Sequence, residues 1–145
     1  MGVMWIPGEK VTTEMMVAAR IALEKVGFDR LLPALGVGYV KAAPLTQWGT
    51  MDGTIPPSVV LVNDVLYSSP EYLAIIALHG ATHLYQQSKS WGGLGLEVMA
   101  HTVELIYLLL AGIGGYDMRV TLNRLTYYLD SILDDELDAL GLVRP

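Results

Sequence analysis

Two histidines four residues apart bound the segment His79-Gly80-Ala81-Thr82-His83, which carries the most specific chemical signal in the chain. On an α-helix, residues i and i+4 share a face, so both imidazoles emerge on one side and can meet a single metal ion. Two nitrogens do not complete a site. The next apolar stretch offers Glu97, His101 and Glu104 at i, i+4 and i+7, which share one face of a second helix. The chain has three histidines, and all of them fall on these two stretches. A set of imidazoles and carboxylates favours zinc. Charged groups in so apolar a stretch are costly unless paired or metal-bound, so a metal-free network of Glu–His hydrogen bonds is the alternative reading.

For these side chains to converge, the two helices must lie side by side. Ser68-Ser69-Pro70-Glu71 is a helix start, with a serine cap, a proline in the first turn and an acid near the positive helix end. That helix runs to about Ser88 and carries the histidine pair. Ser90-Trp91-Gly92-Gly93 is a short connection, which makes the next helix an antiparallel neighbour. The second helix covers about Leu94 to Ile113 and ends at Gly112, Gly114 and Gly115. Periodicity does not determine the register between the two. A third helix runs from about Asp117 to Ala139.

Upstream, Thr12 or Thr13 caps a helix to about Val26, with Met16, Ala19, Leu23 and Val26 on its apolar stripe and Gly27 stopping it. Residues 31–54 are rich in Gly and Pro, with short apolar pieces at Val37–Val40 and Leu45–Trp48. Asp52-Gly53 is a hairpin-type turn signal. The β-branched run Ser58–Leu66 reads as a strand. Asp64 and Glu71 flank the turn from that strand into the histidine helix and read as turn and capping residues. The expected fold is α+β: a single domain over residues 1–145, with a small antiparallel sheet of two or three strands packed against about four helices.

Composition narrows the function classes. A length of 145 residues with 52% hydrophobic content suits one substantial core. Leu94 to Gly115 is long enough to cross a bilayer, but Glu97, His101 and Glu104 interrupt it at helical spacing, so a buried helix with one polar stripe is expected and no membrane span. Net charge is −6 with no basic cluster, which argues against binding nucleic acid through its phosphates. The absence of cysteine excludes disulfides and thiolate ligands. No secretory signal precedes the first helix, so a cytoplasmic location is expected. No nucleophile elbow or phosphate-cradling loop occurs.

The segment from Ile75 to Gln86, Ile-Ile-Ala-Leu-His-Gly-Ala-Thr-His-Leu-Tyr-Gln, resembles the active-site helix of zincin metallopeptidases. Glu97-Val98-Met99-Ala100-His101 is similar to the Glu-x-x-Ala segment that supplies the third ligand in gluzincins. The strand Val59–Asn63 falls where that family places the edge strand that binds extended peptides. The resemblance spans about residues 55 to 105. It implies zinc on His79, His83 and Glu97, a bound water as nucleophile, and an extended peptide or protein segment laid along Ser58–Leu66.

Two departures bear on activity. Gly80 stands where those enzymes carry the glutamate that takes a proton from zinc-bound water, a contribution typically worth about 10²–10⁴-fold. Glycine inside a helix costs roughly 1 kcal/mol relative to alanine, and its missing side chain can admit a ligand or let another helix approach closely. His101 is the second departure. As a fourth ligand it closes the metal into a structural site; outside the coordination shell it orients Glu97 and leaves one position for water. Glu104, a turn further along, can orient a histidine, stand in weakly as a base, or be a hydrogen-bonded carboxylate at the core edge. The expectation is a zinc-binding, metallopeptidase-like domain with a degenerate His-Glu-x-x-His motif and peptidase activity absent or strongly impaired. The alternative is a non-enzymatic peptide- or protein-binding or assembly module on the same scaffold, with the apolar run Leu105–Leu110 serving a homodimer.

Overall fold

Three residues, Met4–Ile6, form the first strand (β1), which stands at one end of the strand order. In the computed structural model, which describes residues 2–45, 49–52, 58–64 and 69–141, β1 leads into helix α1 (Thr13–Glu24). A short 3₁₀ turn and a one-turn helix α2 (Leu31–Ala34) follow, and the chain returns as strand β2 (Tyr39–Ala43). A helix between two neighbouring strands acts as a crossover, so β1 and β2 are parallel. Strands β3 (Gly49–Asp52) and β4 (Val59–Asn63) complete a sheet of order β1-β2-β4-β3. β4 is parallel to β2 and antiparallel to β3.

The α+β class is as expected, but the sheet differs from a purely antiparallel one of two or three strands. Among the described residues it has four strands and is mixed. The three-residue β1 is too short to show a period, and without it α1 cannot be recognised as a crossover. β4 is also an interior strand, hydrogen-bonded to β2 on one side and to β3 on the other. Its backbone groups are therefore committed, and an extended peptide cannot pair with it; β3 is the outer strand at that end. The expected piece at 46–48, the Asp52-Gly53 turn beyond residue 52, and the 65–66 end of the Ser58–Leu66 run lie outside the described residues.

Helix α3 (Pro70–Ser88) is the central element. The Ser69 hydroxyl accepts from the Tyr72 amide, Pro70 occupies the first turn, and Glu71 sits at the positive end. α3 packs against α1, β3, β4 and the following helix α4 (Gly95–Ala111). That explains its nearly all-round apolar sequence. Leu73, Ala74, Ala77, Leu78 and Ala81 join Val40, Val60 and Val62 of the sheet and Met16, Ala19 and Leu23 of α1 in one core. Gly112, with a left-handed φ of 70°, ends α4. Helix α5 (Gly115–Ala139) then folds back along α4. Among the described residues, no helix is long and apolar enough to cross a membrane.

Candidate metal centre

α3 and α4 face each other across the seam where the three histidines and two glutamates meet. His79 and His83, one turn apart on α3, bring their Nε2 atoms to 2.9 Å. Glu97, in the first turn of α4, reaches across: Oε1 lies 2.7 Å from His83 Nε2, and Oε2 lies 3.4 Å from His79 Nε2. The same Oε2 is 3.4 Å from His101 Nε2. All three imidazoles therefore turn the same nitrogen toward one carboxylate. Tetrahedral zinc, with nitrogen ligands at about 2.0–2.1 Å, needs its donor atoms about 3.3 Å apart. The spacings among His79, His83 and Glu97 bracket that value.

The other ring nitrogen of each histidine is held from behind. Gln86 donates its amide Nε2–H to the Leu96 carbonyl at 2.9 Å. A carbonyl only accepts, so the amide oxygen of Gln86 faces His83 Nδ1, 2.8 Å away, and that nitrogen must donate. Glu104 does the same for two rings: His101 Nδ1 lies 2.5 Å from Oε2 and His79 Nδ1 lies 3.3 Å from Oε1. With the Nδ1 protons committed outward, the Nε2 lone pairs point inward, the tautomer that metal-bound histidine adopts. Burial follows the same division. Side-chain exposure is 24% for His79 and 21% for His83, and 31% for Glu97. The two groups behind them, His101 and Glu104, are 3% and 4% exposed. The Tyr128 ring of α5 stacks on His101 at 5.7 Å and covers it.

Two lone-pair nitrogens at 2.9 Å would repel, and the electrostatics show how this is relieved. Burial disfavours a charged His79, but the carboxylates of Glu104 and Glu97 outweigh it and raise its pKa from 6.5 to about 9. A hydrogen bond from His79, against the opposing effect of burial, lowers Glu97 from 4.5 to about 2. Burial also opposes ionisation of Glu104, yet its bonds to His101 and His79 hold it below the ordinary carboxylate range. At neutral pH a proton on His79 Nε2 thus sits among His83 Nε2 and the Glu97 oxygens, at the centre of the donor set.

The structure brings together all five residues singled out by spacing: His79, His83 and Glu97 at the centre, His101 beside Glu97, and Glu104 behind two imidazoles. Gln86 was missed. Its signal was available, since it lies three residues after His83 and so shares that histidine's helix face. Gly80 is one residue from the cluster but points elsewhere. A Cβ built there would stand 2.8 Å from Val60 Cγ1 of β4 and 3.4 Å from the Thr50 carbonyl of β3. The close approach is to the sheet, and neither a ligand nor another helix accounts for it.

Compared with known proteins, the chain matches no family model, no curated protein and no solved structure. What can be said of this centre rests on its own geometry: an α+β domain with a His/Glu cluster clasped between two antiparallel helices.

Proposed function

We propose that this chain is a zinc-binding, metallopeptidase-like domain whose peptidase activity is absent or strongly impaired. Zinc is held by His79, His83 and Glu97. The observation that carries the reading is the set of outward acceptors: Gln86 and Glu104 take the Nδ1 protons of all three histidines and leave their Nε2 atoms facing Glu97. A polar cluster that served only to fill the core would not need to orient every imidazole the same way. His101 is close enough to Glu97 to complete the coordination, which would give a closed, four-coordinate site.

Hydrolysis lacks its base. Position 80 offers no carboxylate, and its face is occupied by Val60. Glu104 is buried and already committed to two imidazoles, so it cannot take that role. Any extended peptide would pair with the outer edge of β3, since β4 is interior.

One observation favours a second reading, a metal-free polar clasp between α3 and α4. Among the described residues, every buried side-chain nitrogen and oxygen already has a hydrogen-bond partner. Metal analysis of protein purified without chelator, followed by zinc titration of the stripped protein, separates the two. Stoichiometric zinc that is lost in His79→Ala supports the proposal. No uptake at micromolar zinc, with the cluster intact, leaves the clasp.

A further inference from the structure

α5 is the longest helix, yet α4 is its principal neighbour. It turns Met118, Thr121, Leu125, Tyr128 and Ile132 inward, at alternating steps of three and four residues. A second stripe with the same spacing runs along its outer side through Leu122, Thr126, Leu129 and Leu133. The three leucines are 42%, 48% and 45% exposed. At the end of α4, Ile106, Leu109 and Leu110 are also exposed. Repeats of this kind on a solvent face are the pattern of a helix that packs on a second helix.

From this stripe and the charge distribution along α5, we infer that two copies of the chain associate through the outer face of α5, antiparallel about Tyr127 and Tyr128. The stripe is complementary to itself in that direction. With Leu122 level with Leu133 of the second copy, Thr126 comes level with Leu129, and the same register repeats on the other side of the two-fold axis. Charge selects the same direction. The first half of α5 carries Arg119 and Arg124 with one acid, Asp117, whereas residues 130–138 carry five acids and no base. Antiparallel packing places Arg119 within about two residues of the exposed acids at 134 and 135 of the second copy. A parallel pair would lay one acidic end on the other, which like-charge repulsion disfavours. The two α4–α5 hairpins then make a four-helix bundle, with each His/Glu cluster at its α3–α4 seam behind Tyr128.

Sedimentation equilibrium of the whole chain at micromolar concentration is expected to give a dimer. Leu129→Glu should weaken association at least about tenfold while circular dichroism stays that of the folded chain. Arg119→Glu should weaken it less, and adding Asp135→Arg should restore it. The chain has no cysteine, so direction can be read by cross-linking. A single cysteine replacing Thr126 should join two copies on mild oxidation. One replacing Leu140 should not, since antiparallel helices of 1.5 Å rise separate those positions by roughly 37 Å. A wild-type monomer overturns the inference, and so does cross-linking through position 140 in preference to 126. A monomer that floats with anionic or neutral lipid vesicles would overturn it in favour of a lipid surface.

Discussion

Gly80 of α3 rests directly against Val60 of β4, so closely that a Cβ would come within 2.8 Å of the valine Cγ1. The helix that carries the histidine pair is thereby seated on the sheet at the residue directly after the first histidine. Packing against Val60 accounts for a glycine at this position.

Gly80→Ala therefore tests two opposing terms. Alanine gains about 1 kcal/mol in helix propensity, while forcing a methyl group into a filled contact costs about 1–3 kcal/mol. A net loss of up to about 2 kcal/mol is expected in urea denaturation. Trimming the opposing side chain in the Gly80→Ala/Val60→Ala pair should recover part of it, so the double variant will be more stable than the sum of the two single losses implies. Additive losses would mean that the two residues are not in contact. Gly80→Glu should destabilise more than alanine and yield no peptidase.

On the proposed zinc assignment, the groups behind the histidines should matter to zinc affinity almost as much as His79, His83 and Glu97 do. Glu104→Gln and Gln86→Leu are each expected to lower zinc affinity about 10–100-fold in calorimetric titration, with His79→Ala lowering it further. Unchanged affinity in both orienting variants would show that imidazole direction is set by something other than Gln86 and Glu104.

The cluster also predicts opposite pH responses with and without zinc. In metal-free protein the raised pKa of His79 contributes stability that is complete below about pH 6.5 and disappears as pH rises through about 9. The lowered pKa of Glu97 contributes stability that is present above about pH 4.5 and is lost as pH falls through about 2. Thermal melts of stripped protein should therefore be highest between about pH 4.5 and 6.5 as far as these groups decide it. Zinc needs a neutral His79, so below pH 9 its binding releases that proton and affinity should fall about tenfold per pH unit on acidification. Proton release measured in two buffers of different ionisation enthalpy checks this. A pH-independent zinc affinity between pH 6 and 8 would contradict the assignment of His79.

Asp64, read from sequence as a turn residue, has a larger structural role. Its carboxylate accepts from the amides of Glu9, Lys10 and Val11 at 2.9, 2.9 and 2.8 Å, tying the β1–α1 loop to the end of β4. Hydrogen bonds from the Val11, Lys10 and Glu9 amides, despite burial, hold its pKa below the usual 3.8. Its contribution is present above that value and is lost as pH falls through the lowered pKa. Asp64→Ala should lower the melting temperature at neutral pH and leave zinc stoichiometry unchanged, because Asp64 takes no part in the cluster. A simultaneous loss of zinc would show that the sheet end and the α3–α4 seam unfold together.

Local chemistry by itself determined the α+β class and the four long helices, though not the one-turn α2: a cap at Thr12 or Thr13, the Ser69-Pro70-Glu71 start and the glycine at 112 mark boundaries that recur in the structure within a residue or two. Spacing likewise put His79 with His83, and Glu97 with His101 and Glu104, each set on one helix face, because α-helical periodicity is a property of the chain alone. Tertiary structure decided what lay between elements. The three-residue β1 has no period to read, so the parallel crossover and the interior place of β4 follow only from long-range pairing. The register of α4 on α3 arises from packing in three dimensions, and it alone brings Glu104 behind His79 and sets the Leu96 carbonyl where the Gln86 amide donates to it. The glycine at position 80 looks like a lost catalytic group in one dimension. In three it is the contact that lets the helix lie on the sheet, since only a residue without a side chain fits against Val60.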